Sequence, residues 1–333
     1  MPEILSTTPG LYPLPDWAKD DLEDRKGNQR EDLISGDESG ELTEIYATVR
    51  EELLETQELA GLDRVVEGQG RWDDMLAHPL TVHDSVETGG IVRYYDNNNF
   101  YRDPVVTGEL TPDGDVTAEL DTATAHADSP VQAVLPGPYS LADLATDEHY
   151  GDEAAFLDAI AGFLADEAGA FPDVETLFLL EPSLVTSPPE TDDEHERVPD
   201  AIDTVADVLD ADVVVYPYWG ALAEKTYAHV MDADIDALGF DLVSAPDDNV
   251  YNAQEYGTPE DVALGVVDGQ NTRVESPETV RERVEWFDGR TPQNDYGRVY
   301  ATTNTETFYL PVNRFEEKID TLATAAQLTE VEA

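Results

Sequence analysis

Between positions 67 and 75 the chain reads Glu67-Gly68-Gln69-Gly70-Arg71-Trp72-Asp73-Asp74-Met75, two glycines interleaved with a base, an indole, an amide and three carboxylates. Glycines let the backbone turn tightly, and the polar side chains around them can hold a small charged ligand. The plain alternative is a loop in which Arg71 pairs with Asp73 or Asp74 at the surface. Leu135-Pro136-Gly137-Pro138-Tyr139-Ser140-Leu141 forms a stiff, close-approach turn suited to a pocket wall. Glu181-Pro182-Ser183 ends an apolar run, so its carboxylate would be partly desolvated and suited to proton or amine binding, unless a neighbouring Arg pairs with it. Tyr216-Pro217-Tyr218-Trp219-Gly220 offers rings to stack on a flat ligand or simply to pack. Asp268-Gly269-Gln270-Asn271 supplies acceptors and donors, and Thr302-Thr303-Asn304-Thr305-Glu306 is small and polar. The six His residues fall away from these points and read as surface or loop residues.

The elements that must carry these residues are eight short apolar runs: Ile4–Pro9, Arg64–Gln69, Val131–Pro136, Thr176–Pro182, Asp212–Tyr218, Gly239–Ser244, Val262–Asp268 and Arg298–Thr303. Runs of this length, rich in Val and Leu, read as strands buried on both faces. Helical patterns follow most of them: Glu41–Ala60, Asp152–Phe171, Pro199–Leu209, Ala221–Met231, Glu278–Asp288 behind the cap pair Ser276-Pro277, and Arg314–Leu328. Alternation to a count of eight predicts one (β/α)8 barrel over residues 1–333, with its chemistry at the carboxyl ends of the strands. Residues 78–130 form an insertion in which Thr111-Pro112-Asp113-Gly114-Asp115 is the expected turn of a β-hairpin lying over that face. Residues 18–40 read as a long loop with a short helix, and Pro188–Glu196 as an exposed acidic loop.

Composition narrows the function classes. The 74 acidic residues outnumber the 18 basic ones for a net charge of −56. Molar salt shortens the Debye length to about 3 Å and screens such a surface, so a halophilic, cytoplasmic protein is expected. Nucleic acid is excluded as a partner for want of a basic stripe. With no Cys, disulfides and thiolate metal sites are excluded. No apolar stretch approaches a membrane span, and no conventional export signal opens the chain.

The pieces Thr7-Thr8-Pro9-Gly10, Glu67-Gly68-Gln69 with Asp74-Met75, Gly137-Pro138-Tyr139-Ser140, Glu181-Pro182-Ser183-Leu184, Leu264-Gly265-Val266-Val267-Asp268 and Glu317-Lys318 occur in this order. Together they resemble the cobalamin-independent methionine synthase family, in particular its short archaeal single-barrel forms. The resemblance implies a barrel fold of the uroporphyrinogen decarboxylase/methionine synthase kind. It also implies methyl transfer from a methyl-folate or other donor to homocysteine, whose thiol a zinc ion on one His, two Cys and a Glu would activate. Here the family's His-x-Cys falls on Tyr216-Pro217-Tyr218, and its second Cys falls near Thr305. The stretch after the sixth strand, Ser244-Ala245-Pro246, offers no Glu. The family's Asp before Glu-Pro becomes Leu180, its substrate-binding Glu becomes Gln69, and its proton-donating His becomes Gln270.

The zinc site is therefore expected to be lost, leaving no metal and no resident cofactor. Gly10, Gln69, Arg71, Asp74, Gly137, Tyr139, Glu181, Tyr216, Tyr218, Asp268, Gln270 and Asn271 are the expected substrate contacts. A small molecule is the expected ligand, and a zinc-bearing paralogous barrel the expected partner. Two competing readings are a zinc-independent uroporphyrinogen-decarboxylase-like enzyme, which needs Arg at the mouth, and a non-catalytic binding barrel.

Overall fold

The computed structural model describes residues 2–23, 40–72, 74–93, 100–292 and 295–328. Eight parallel strands form one curled sheet in the order β2-β5-β7-β8-β9-β10-β11-β1. They are β1 (Glu3–Ser6), β2 (Val65–Val66), β5 (Val131–Pro136), β7 (Thr176–Leu180), β8 (Asp212–Tyr216), β9 (Ala237–Asp241), β10 (Asp261–Val267) and β11 (Arg298–Thr303). The strands between β5 and β10 are buried almost throughout, because the barrel interior takes one face and the helices the other. That two-sided burial is why they read as unbroken apolar runs.

Between β1 and β2 the ring is fastened differently. Asp63 Oδ2 accepts from the Ser6 amide at 2.8 Å and the Ser6 hydroxyl at 2.7 Å, while the Asp63 and Arg64 amides donate to the Ser6 carbonyl.

The helices are α1 (Asp16–Glu23), α2 (Gly40–Ala60), α3 (His78–Thr81), α4 (Asp115–His126), α5 (Pro138–Leu144), α6 (Glu153–Ala168), α7 (Ser183–Thr186), α8 (Asp192–Ala206), α9 (Glu224–Val230), α10 (Pro246–Tyr256), α11 (Pro277–Arg290) and α12 (Val312–Gln327). Helix α2 buries Leu42, Tyr46, Val49, Leu53 and Leu54 at helical spacing. Ser276 caps α11 by accepting from the Thr279 amide, with Pro277 in the first turn.

Four sequence readings are corrected. The expected acidic loop Pro188–Glu196 contains the start of α8, where Thr191 and Glu194 form a capping box. Pro199 therefore lies inside the helix rather than at its start. The hairpin exists as β3 (Val86–Arg93) against β4 (Phe100–Val106), but Thr111–Asp115 is not its turn. That segment opens α4, with Gly114 at φ 78° before the first helical residue. Strand β9 ends at Asp241, three residues earlier than Ser244. Of the stretch 18–40, residues 24–39 lie outside the described residues, as does Asp73.

The hairpin joins β6 (Thr146–Asp147) in a three-stranded sheet. The Tyr101 hydroxyl reaches the Leu144 carbonyl at the end of α5.

Candidate functional site

Two of the recognisable motifs meet in one structural device. The Glu181 carboxylate follows β7, fully buried, and accepts from the Tyr139 amide (3.0 Å), the Ser140 amide (2.8 Å) and the Ser140 hydroxyl (2.6 Å). It caps the first turn of α5, where backbone donors lack helical partners. Burial still dominates, and its pKa is raised to about 7. Gly137 is required at this point: a Cβ there would lie 2.2 Å from the Glu181 carboxyl carbon. Ser140 then passes the connection on, its hydroxyl accepting from the Ser183 amide. No Arg pairs with Glu181 among the described residues, and its carboxylate is occupied by the helix start rather than offered to a ligand.

A second interlock joins Gly10 and Gln69. Gln69 sits at φ 55° and Gly10 at φ 83°. The Gln69 amide oxygen accepts from the Leu11 amide at 2.6 Å and fills the place a Gly10 Cβ would take, 2.2 Å away. Its Nε2 is buried without a partner.

Arg71 does not pair at the surface as the plain alternative had it. It packs half-buried against α4, 2.9 Å from Asp115 Oδ1 and 3.0 Å from Glu119 Oε1. Arg50 extends the cluster to Glu67 at 2.6 Å and Glu119 at 3.3 Å, and Trp72 Nε1 donates to Glu119. His78, expected at the surface, is buried with its ring stacked on Trp72 and Nε2 3.0 Å from Asp115. Burial alone would lower the His78 pKa, but the Asp115 hydrogen bond and charge outweigh it and raise it. His83 and His195 are buried as well. His78, Asp115 and Glu119 have ligand atoms within 4.8 Å of one another, the convergence of that type found among the described residues. The Arg71 guanidinium already bonds both carboxylates, so the position a cation would take is filled.

Asp74 Oδ1 accepts from the Leu76 and Ala77 amides and leads the chain into α3. Asp268 Oδ1 accepts from the Gln270 and Asn271 amides in a local turn, and those two residues are exposed. The structure does not bring them to the other candidates.

Tyr216 and Tyr218 are both fully buried, with ring centroids 6.1 Å apart. Tyr216 reaches across the barrel interior and donates to the Thr303 carbonyl at 2.8 Å. Two strand glycines make room for it: a Cβ at Gly239 would lie 2.3 Å from its ring, and one at Gly265 2.7 Å from its oxygen. Burial and the Asp241 charge raise its pKa well above that of an ordinary phenol. The Tyr218 hydroxyl donates to the Met75 sulfur.

The corrected end of β9 places a carboxylate here that the sequence reading missed. Asp241 Oδ1 accepts from the Val243 and Ser244 amides and from Asn304 Nδ2. Gly239 and Gly265 were its available signals, since glycines inside buried strands mark a close approach.

A groove of about 1030 Å³ lies between α5, α6 and α8, lined by Tyr139, Asp143, Asp152, Glu153, Glu194 and Arg197 among others. None of Gln69, Tyr216, Tyr218 or Asp241 lines it.

Residues 81–290 match the family described as "Cobalamin-independent synthase, N-terminal domain". A "Methionine synthase" of Sulfurisphaera tokodaii is 22% identical over 288 residues, 84% of this chain and 80% of the relative. A "5-methyltetrahydropteroyltriglutamate--homocysteine methyltransferase" of Salinibacter ruber is 28% identical over 145 residues, 42% of this chain and 18% of the relative. The solved B12-independent methionine synthase of Shewanella sp. W3-18-1, in complex with selenomethionine, superposes with a TM-score of 0.77 at 18% identity, over 98% of this chain and 97% of that one.

Proposed function

The chain belongs to the cobalamin-independent methionine synthase family, and from that premise we propose that it serves methyl transfer to homocysteine as a zinc-free barrel, acting beside a zinc-bearing one. One observation carries the reading: the family's His-x-Cys falls on Tyr216 and Tyr218, its second Cys falls near Thr305, and Ser244-Ala245-Pro246 offers no Glu. Tyr216 fills the interior there with a phenol whose proton is committed to the Thr303 carbonyl. Asp241 supplies one carboxylate, but two protonated phenols and a threonine hydroxyl do not make a tetrahedral nitrogen and sulfur set. Without the ion this chain has no group to keep a thiol deprotonated at neutral pH, so thiol activation falls to the partner. What it retains is the barrel and the buried, unpartnered polar atoms Gln69 Nε2 and Asp241 Oδ2. A methyl-pterin or another methyl donor is the proposed second ligand.

The polycarboxylate alternative, which needs Arg at the mouth, loses support because Arg71 is spent on Asp115 and Glu119.

The test mixes the purified chain with a zinc-bearing single-barrel relative in high salt and follows methionine formed from homocysteine. A raised rate with co-purification is expected, with the chain inactive alone. Stoichiometric zinc on the isolated chain, or an unchanged rate without association, defeats the proposal.

A further inference from the structure

Strand β3 is uncovered along its whole length: Val86 is half-buried and every residue from Glu87 to Arg93 is exposed. It pairs with β4 on one side and, at the end of the order β3-β4-β6, meets no strand on the other among the described residues. An open edge of this kind presents a row of backbone N–H and C=O groups that a further strand can pair. The side chains beside it are apolar, Ile91 72%, Phe100 49% and Val92 39% exposed. Arg93 lies opposite Phe100 in the register, its guanidinium 6.0 Å from the ring centroid.

The devices that usually blunt an edge are weak here. Strand β3 contains neither Pro nor Lys. Its one irregularity, between Thr88 and Ile91, consists of Gly89 and Gly90, and a Cβ on Gly90 would meet nothing within 4 Å. No side chain at the middle of the strand obstructs an approaching backbone.

Charge decides what approaches. The whole chain has 74 acidic and 18 basic residues, whereas residues 86–106 hold three acidic and two basic ones. Two copies that repel each other elsewhere can therefore meet here, and molar salt screens the remaining repulsion beyond about 3 Å. The strand Val86-Glu87-Thr88-Gly89-Gly90-Ile91-Val92-Arg93 is also complementary to itself. Laid antiparallel about a two-fold axis at the glycines, it brings each Glu87 beside the Arg93 of the other copy, at facing or diagonal positions.

We infer that the open edge of β3 is a self-association surface, on which β3 of a second copy adds antiparallel and joins the two small sheets into one. A single edge pairing falls well short of the roughly 1,200 Å² of a long-lived complex, so the dimer is weak and concentration-dependent. The inference stands on the hairpin alone and does not depend on methyl transfer.

Sedimentation equilibrium of the whole chain in molar potassium chloride tests it. The mass should rise with concentration toward twice that of the monomer. Glu87→Arg and Arg93→Glu should each lose the dimer, and the double exchange Glu87→Arg/Arg93→Glu should restore it. The chain has no Cys, so a single introduced thiol reports its own neighbourhood. Oxidised Gly90→Cys should cross-link to itself faster than Leu59→Cys, a control thiol at an exposed position of α2. A wild type that stays monomeric at every concentration overturns the inference. So does a dimer that both single reversals retain, or a Gly90→Cys chain that cross-links no faster than the control. If the wild type stays monomeric but binds a zinc-bearing relative and Arg93→Glu does not, the edge belongs to that partner and the second copy is refuted.

Discussion

Along β5 and β7 the rim of the barrel is held by a buried carboxylate with three donors, all from the start of α5. Along β9 to β11 the buried carboxylate keeps one oxygen unpartnered and the neighbouring threonine has none. The first side contains two of the motifs that make the family recognisable, Gly137-Pro138-Tyr139-Ser140 and Glu181-Pro182-Ser183, and a third, Leu264–Asp268, runs along the second. The second contains the positions where the family's metal ligands would fall. A motif can therefore be legible because the backbone needs it, while the residues that would do the chemistry have changed. Recognisable sequence reports architecture more directly than activity.

Three outcomes break or sharpen this contrast. The largest concerns Tyr216, read here as the packing that fills the interior. Tyr216→Ala should cost about 3–5 kcal/mol in denaturant unfolding; a cost below about 1 kcal/mol would make Tyr216 a lining residue of an open site instead. Next comes Glu181. Its folded pKa of about 7 exceeds the ordinary 4.5, so the folded chain keeps a proton the unfolded chain releases. Stability attributable to it falls as pH rises from 4.5 to 7, by up to about 3 kcal/mol, and is flat above. Urea midpoints of wild type and Glu181→Gln at pH 5 and pH 8 should fall less in the second than in the first, the remainder coming from Glu67, also raised to about 7 by burial. An identical slope in both would remove the cap from the comparison. The smallest effect is Ser140→Ala, which deletes one bond to Glu181 and one from Ser183 and should cost about 1 kcal/mol. If it impaired methionine formation while leaving stability intact, the motif side would be chemical after all.

The strands were readable where burial on both faces made continuous apolar runs: Val131–Pro136 and Arg298–Thr303 stand where the pattern placed them. Strand β9 slipped because Leu242 and Val243 prolong its apolar character past the true end, and with that slip Asp241 went unseen. Helix α8 was begun late because Pro199 imitates a first-turn proline, although the Thr191–Glu194 box opens it seven residues earlier. Pro112-Asp113-Gly114 carries a turn signal that a helix entry shares with a hairpin. The buried cluster of Arg50, Glu67, Arg71, Asp115, Glu119 and His78 was illegible, because its members come from four separated segments and only packing unites them.

The fastening between β1 and β2 has a mechanical consequence. Elsewhere the sheet is stitched by successive rungs, but there Ser6 meets only the turn Asp63-Arg64, with the Leu11–Gln69 bond beyond it. Releasing those contacts leaves β1 laddered to β11 along its length. The cylinder can thus breathe as a furled ribbon hinged far from the latch, and deuterium should enter the Ser6 and Asp63 amides well before it reaches the rungs of β7 and β8.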